Sequence, residues 1–126
     1  MLKNVLLIGF GGFCGTISRY YLKIFITNHV ESNFPFGIFL INVLGSFILG
    51  FLTEWWLDTD SSFILSISPI FIIGFCGGFT TFSTLSFDSL ILFQEGYYWK
   101  FFLNSVGSLI CGILAVFAGM YLGRQI

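Results

Sequence analysis

The 126-residue chain is 56% hydrophobic and only 9% charged, with a formal net charge of −1 and a mean hydropathy of +0.96. Soluble domains carry roughly 25% charged residues, so this composition excludes a soluble globular domain and indicates an integral membrane protein. Near-neutral charge offers no basic surface for nucleic acid.

Four apolar segments predict an all-α, single transmembrane domain over residues 1–126, with helices at about 4–27, 37–56, 63–95 and 97–122. At about 1.5 Å per residue each segment is long enough to cross a hydrocarbon core of about 30 Å. Trp55, Trp56 and Trp99 fall away from the segment middles, as interfacial anchors do. Cys14, Cys76 and Cys111 lie inside apolar segments without metal-ligand spacing and read as small packing residues. The N-terminal run superficially resembles a signal peptide. Phe13 stands before Cys14 where lipoprotein processing needs a small residue, and the apolar pattern continues to Ile26, so a retained first span is expected.

In the first segment Gly12, Gly15, Thr16 and Arg19 share one helical face. Close helix packing explains the glycines. Arg19, expected about one turn inside the segment's end, reads either as snorkelling to the headgroups or as drawing anions into a water-filled vestibule. Residues 28–36 form a short polar connection, with His29 expected as a solvated loop residue.

The second segment carries Asn42 among Gly45, Ser46, Leu49 and Thr53 on one face. An unsatisfied carboxamide in hydrocarbon costs several kcal/mol, so Asn42 needs a partner. It serves as interhelical glue or as an uncharged hydrogen-bond donor lining a pore. An acidic turn with Asp58 and Asp60 follows.

The third segment is uncharged from residue 61 to 87, yet Gly77-Gly78 weakens it as a helix. Hydroxyls at Thr80, Thr81, Ser83, Thr84 and Ser86 follow. A break near the middle of a span survives only where it lines a cavity or is buried in protein, which is where transporters and channels place ion sites. Asp88, beyond the hydroxyls, is either an intramembrane functional carboxylate or a partner for Lys23 or Lys100. The fourth segment bears a stripe of small and polar residues that tight packing largely explains. Asn104 and Ser108 are the exceptions, as polar rungs facing the third segment.

Basic residues scarcely orient the chain. Lys3 and Arg124 flank one side and Arg19, Lys23 and Lys100 the other, two against three. A sequence so balanced can insert both ways, and oppositely oriented copies would pair about an axis in the membrane plane. An antiparallel (dual-topology) dimer is therefore expected.

Gly11-Gly12-Phe13-Cys14-Gly15-Thr16-Ile17-Ser18-Arg19-Tyr20 resembles the GGxxGAxxRY signature of the Fluc (CrcB) fluoride channels. Asn42 to Phe47 resembles their NxxGSF, and Gly77 to Thr84 their GGxTTFST. The resemblance implies a homodimeric, passive channel in the prokaryotic plasma (inner) membrane that exports cytoplasmic fluoride and confers fluoride resistance. It further implies a structural Na+ at the dimer centre, on the backbone carbonyls of Gly77 and Thr80 from both copies. Two ion pathways would be lined by Asn42, Phe82, Ser83, Thr84 and Ser108, with Arg19 in the vestibule. Leu85 stands where a second Phe is usual, Asp88 replaces a usual Glu and Thr16 a usual Ala. Leu85 thus raises the alternative of a non-conducting subunit of a heterodimeric fluoride channel. A small multidrug-type dual-topology exporter is the other alternative, but the first segment lacks the carboxylate such exchange needs. No nucleophile and base pair supports an enzyme.

Overall fold

The computed structural model describes residues 2–57 and 61–126, all of whose regular elements are helical. The acidic residues Asp58 and Asp60 lie outside the described residues. Helices α1 (Leu2–His29) and α2 (Phe36–Leu57) are continuous. The third span, Ser62–Gln94, consists of α3 (Ser62–Pro69), a π-helical stretch (Ile70–Phe75), α4 (Cys76–Phe79) and α5 (Phe82–Gln94). The fourth, Tyr98–Gly123, consists of α6 (Tyr98–Phe102), a π-helical turn (Leu103–Gly107) and α7 (Ser108–Gly123). All four spans are long and apolar enough to cross a membrane. The protein is a multi-pass membrane protein.

Pro69 ends the first regular piece of the third span. Proline has no N–H for the ladder and crowds the preceding turn, and the chain widens into the π-helical stretch immediately after it. α5 stops where Gly96 takes φ of +80°. The Gly96 amide then donates to the Phe93 carbonyl and the Tyr97 amide to that of Leu92. This double closure satisfies the last carbonyls of the helix.

Two small-residue faces set the packing. α1 lies against the π-helical stretch and α4, so that a Cβ on Gly15 would stand 2.8 Å from the Phe79 nitrogen. On the other side α7 lies against α2, and a Cβ on Gly119 would stand 2.7 Å from the Phe51 nitrogen. Backbones approach this closely only where side chains are absent, which is how packing drives association in lipid. An ion pair between Arg124 and Glu54 closes the end of the bundle that holds both termini. At the opposite end Asn33 Nδ2 donates to the Tyr97 hydroxyl at 2.9 Å, tying the first connection to the turn after α5.

The buried apolar core is small: Ile38, Ile41, Trp56, Cys76, Phe79 and Leu92. Most other large apolar side chains face outward, as lipid permits.

Two expectations shift. The first helix runs through His29 rather than ending near 27, and His29 Nδ1 donates to the Phe25 carbonyl inside its last turn. Helical structure also continues through Gly77-Gly78, and the break falls at Thr80 and Thr81. A Cβ on Gly78 would stand 3.0 Å from Gly12 Cα, whereas one on Gly77 meets nothing within 4 Å. Gly78 therefore admits α1, and the interruption itself belongs to the threonines.

Candidate functional site: the interrupted third span

Thr80 and Thr81 are extended, with φ and ψ of −81° and 157°, then −153° and 117°. β-Branched residues with short hydroxyls favour such a departure, because the hydroxyl competes for backbone partners. Thr80 still donates its amide to the Cys76 carbonyl at 3.0 Å and its hydroxyl to the same oxygen at 2.9 Å. The helix ends there. The Thr81 amide, which an uninterrupted helix would direct to the Gly77 carbonyl, goes instead to Asn42 Oδ1 at 2.8 Å.

Asn42 answers with its other end, donating Nδ2 to the Thr81 carbonyl at 3.2 Å. Asn42 Oδ1 thus supplies the partner that the break removes from the Thr81 amide, while the Thr81 carbonyl, at the N-cap of α5, stays the first acceptor of that helix and takes Nδ2 in addition. A second Nδ2 hydrogen remains for another acceptor. From the opposite side α1 contributes Arg19, whose Nη1 donates to the Thr80 carbonyl at 3.0 Å, and Thr16, whose hydroxyl lies 3.5 Å from the Gly78 oxygen. A cation at a helix C-terminal end is favourably placed with respect to the backbone dipoles.

Beyond the break α5 begins with Thr81 as its cap. Thr81 Oγ1 accepts from the Thr84 amide at 3.3 Å and donates to Thr84 Oγ1 at 3.2 Å, and Ser83 Oγ lies 3.2 Å away. The hydroxyl cluster is therefore partly self-satisfied.

An open cavity of about 570 Å³ lies along this face. Of the residues singled out in the sequence, it brings together Asn42, Gly77, Thr80, Phe82, Leu85 and Ser108. Ser83 and Thr84 are not among its lining; they hold Thr81 instead. Arg19 is also absent from the lining. It sits behind the break, ten residues before the end of α1, about 15 Å along the helix axis. That depth replaces the expected position one turn from the segment's end: an end at residue 27 already puts Arg19 eight residues, about 12 Å, inside, and α1 adds two residues more.

Ser105 lines the same cavity without having been singled out, and Thr81 and Cys76 line it too, the latter read in the sequence as a packing residue. Thr81 was within the hydroxyl run, but its pairing with Asn42 spans two helices and leaves no periodic trace. Phe82 is 80% exposed and, with Leu85 and Ser105, also walls a second cavity of about 420 Å³ reaching Ser86 and Ser89. A third cavity of about 340 Å³, at the end bearing Asn33, collects Lys23, Asp88 and Glu95. Asp88 thus lies with Lys23, while Lys100 sits 4.7 Å from the centre of the Tyr97 ring. Asn104 does face the third span, donating Nδ2 to Ser89 Oγ at 2.9 Å.

Fold and cavity together define a multi-span membrane protein whose uncharged polar groups gather at an interrupted helix. The chain belongs to the CrcB family: the family described as CrcB-like protein, Camphor Resistance (CrcB), matches residues 6–120. Among its relatives, a Dehalococcoides mccartyi protein named Fluoride-specific ion channel FluC is 40% identical over 122 residues, covering 97% of this chain and 93% of the relative. A protein of the same name from Bacteroides fragilis is 39% identical over 127 residues, covering 98% of each chain. Another from Phocaeicola vulgatus is 40% identical over 123 residues, covering 98% of this chain and all of the relative. These relatives are named as ion channels, and the family is not one of enzymes.

Proposed function

We propose that this chain forms a fluoride-selective, passive channel that exports cytoplasmic fluoride across a prokaryotic plasma membrane. The observation that carries the reading is the set of FluC-named relatives matching nearly the whole chain. The cavity agrees with it chemically. Its polar lining includes Asn42, Thr80, Thr81, Ser105 and Ser108, with no charged side chain among the described residues of its walls. Fluoride holds water strongly, and neutral amide and hydroxyl donors replace that water without creating the deep well of an ammonium group. The positive ring edge of Phe82 adds a further favourable contact.

In this reading two oppositely inserted copies associate across the open face that holds the cavity, giving two pathways. A Na+ ion would sit at the centre of that dimer on the Gly77 and Thr80 carbonyl oxygens. These residues fit such an ion: Gly77 has lost its helical amide partner to Asn42, both residues border the cavity, and both oxygens are hard ligands. Thr80 shares its oxygen with Arg19. Bound there, the ion would supply positive charge to the carbonyl ends of two broken helices. The protein's own groups hold the break open: Asn42 fixes Thr81, and Arg19 fixes Thr80.

The test is fluoride efflux from liposomes holding the purified protein alone, with chloride as control and Leu85→Phe alongside. Fast fluoride efflux without chloride leak is expected. Silence from the wild-type chain with flux from Leu85→Phe would mark it as a subunit needing a different partner. Silence from both, with proton-driven uptake of organic cations, would replace the channel by an exporter.

A further inference from the structure

Among the described residues, two buried side-chain atoms have no hydrogen-bond partner within the protomer, Asn104 Oδ1 and Ser108 Oγ. They belong to residues four apart on the fourth span, at the π-helical turn and just beyond it. Asn104 has 0% exposure, so a second copy docking on the surface cannot reach it. Its Nδ2 is already engaged, with Ser89 Oγ at 2.9 Å and the Leu85 carbonyl at 3.4 Å. The acceptor end is left alone in a membrane span, where an unsatisfied polar atom is costly.

Ser108 is equally unusual. Several hydroxyls in these helices donate to a carbonyl three or four residues back, as Ser66 does to Phe63, Thr53 to Leu49, Ser86 to Phe82 and Ser105 to Phe101. Ser108 does not.

We propose that one water molecule lies between Asn104 Oδ1 and Ser108 Oγ, donating a hydrogen to each, and that Asn104 is thereby a positioning residue for the Ser108 hydroxyl. Side chains four apart on a helix are neighbours, with Cβ atoms about 5–6 Å apart, and one water donating at about 2.8 Å to each of two oxygens joins atoms about 4.5 Å apart, within reach of an Asn and a Ser side chain so placed. Buried water commonly satisfies such otherwise unpaired groups.

The consequence is the polarity of Ser108. A serine hydroxyl has one hydrogen and two lone pairs. When the water donates to a lone pair, the single hydrogen is released towards the cavity that Ser108 lines with Asn42, Phe82 and Leu85. Without the water, Ser108 would turn that hydrogen to Asn104 and present only lone pairs, which repel an anion. The functional part of this inference rests on the anion-channel reading of the cavity; the water itself does not.

Two measurements test it. In a high-resolution crystal structure of the wild-type protein, density for a water within hydrogen-bond distance of both atoms is expected; Ser108 Oγ bonded directly to Asn104, or no water, overturns the proposal. In liposome efflux, Asn104→Leu and Ser108→Ala should each slow fluoride about tenfold, the scale of one hydrogen bond to a charged group. The double variant should be no slower than Ser108→Ala. Losses that multiply would overturn the positioning role. Where Asn104→Leu fails to assemble, Asn104→Ser replaces it in the same cycle. A wild-type protein that shows the water but passes no fluoride would reject the channel reading and the Ser108 role while leaving the water site standing.

Discussion

Asn42 and Thr81 are joined by two hydrogen bonds, amide to Oδ1 at 2.8 Å and Nδ2 to carbonyl at 3.2 Å, so a side chain of α2 takes the place of a helical rung in the third span. The two sequence readings of Asn42 therefore meet in one residue: it bonds another helix, and it borders the cavity. In the proposed channel, a side chain that both supports the break and faces the cavity would couple stability to permeation.

Asn42→Ala should expose that coupling. It strands the Thr81 N–H, whose partner was Asn42 Oδ1, and one unsatisfied buried group costs about 1–3 kcal/mol. A lower melting temperature in detergent and a loss of fluoride efflux are expected. Asn42→Asp keeps the acceptor for the Thr81 amide but turns a carboxylate towards the Thr81 carbonyl and the cavity. It should suppress flux more than it lowers stability. Undiminished fluoride efflux from Asn42→Asp would remove this residue from the pathway.

Arg19 offers a separate test of depth. Its bond to the Thr80 carbonyl is charge-assisted, a class worth about 1.5–3 kcal/mol. Arg19→Leu should therefore lower the unfolding free energy by about 2 kcal/mol. A residue merely snorkelling to headgroups would change it by about 0.5 kcal/mol or less, as surface substitutions do. Thermal unfolding of the two proteins in the same detergent separates these outcomes.

Much of this architecture was legible in the sequence because lipid imposes a simple rule: long apolar runs become helices with internally satisfied backbone. Four spans follow from that rule, as does an interruption in the third. Its position was read three residues early. Glycine lowers helix propensity wherever it stands, yet Gly78 serves the approach of α1, and Thr81 leaves the helix because Asn42, 39 positions earlier, is there to receive it. The same cause hid the partner of Arg19, since only the fold reveals that it is a carbonyl 61 residues away. The π-helical stretches left no composition signal beyond Pro69.

The adjacent glycines make a paired test of the proposed dimer. Gly78→Ala places a methyl 3.0 Å from Gly12 Cα, and overpacking of this kind costs about 1–3 kcal/mol. It should destabilise the protomer itself. Gly77→Leu meets open space within the protomer, as a Cβ there has nothing within 4 Å. If a second copy covers this face, Gly77→Leu should leave helicity intact and shift the protein from dimer to monomer. Circular dichroism and light scattering after size exclusion would read the two effects. A Gly77→Leu protein that remains fully dimeric would place the interface elsewhere.

Orientation provides the last test, and the fold sharpens it. Arg19 is held at the break and no longer counts as a flanking charge, leaving Lys3 and Arg124 at one end and Lys23 and Lys100 at the other, two against two. Charge bias on short connections sets orientation, so the wild-type chain should insert equally both ways. Asp58 and Asp60 lie between α2 and α3 in the sequence, and the ends of those two helices that flank them are on the side of the termini. Asp58→Lys with Asp60→Lys makes the count four against two and should fix that side in the cytoplasm. A single cysteine introduced at Ser32, in a background without the native thiols, reports the outcome through an impermeant label. The wild-type sequence should label from both faces and the charged variant from one. If the dimer is antiparallel, the charged variant expressed alone should also lose fluoride efflux, and co-expression with a chain biased the opposite way should restore it. Full efflux from a uniformly oriented protein would show that the two copies need not be inverted.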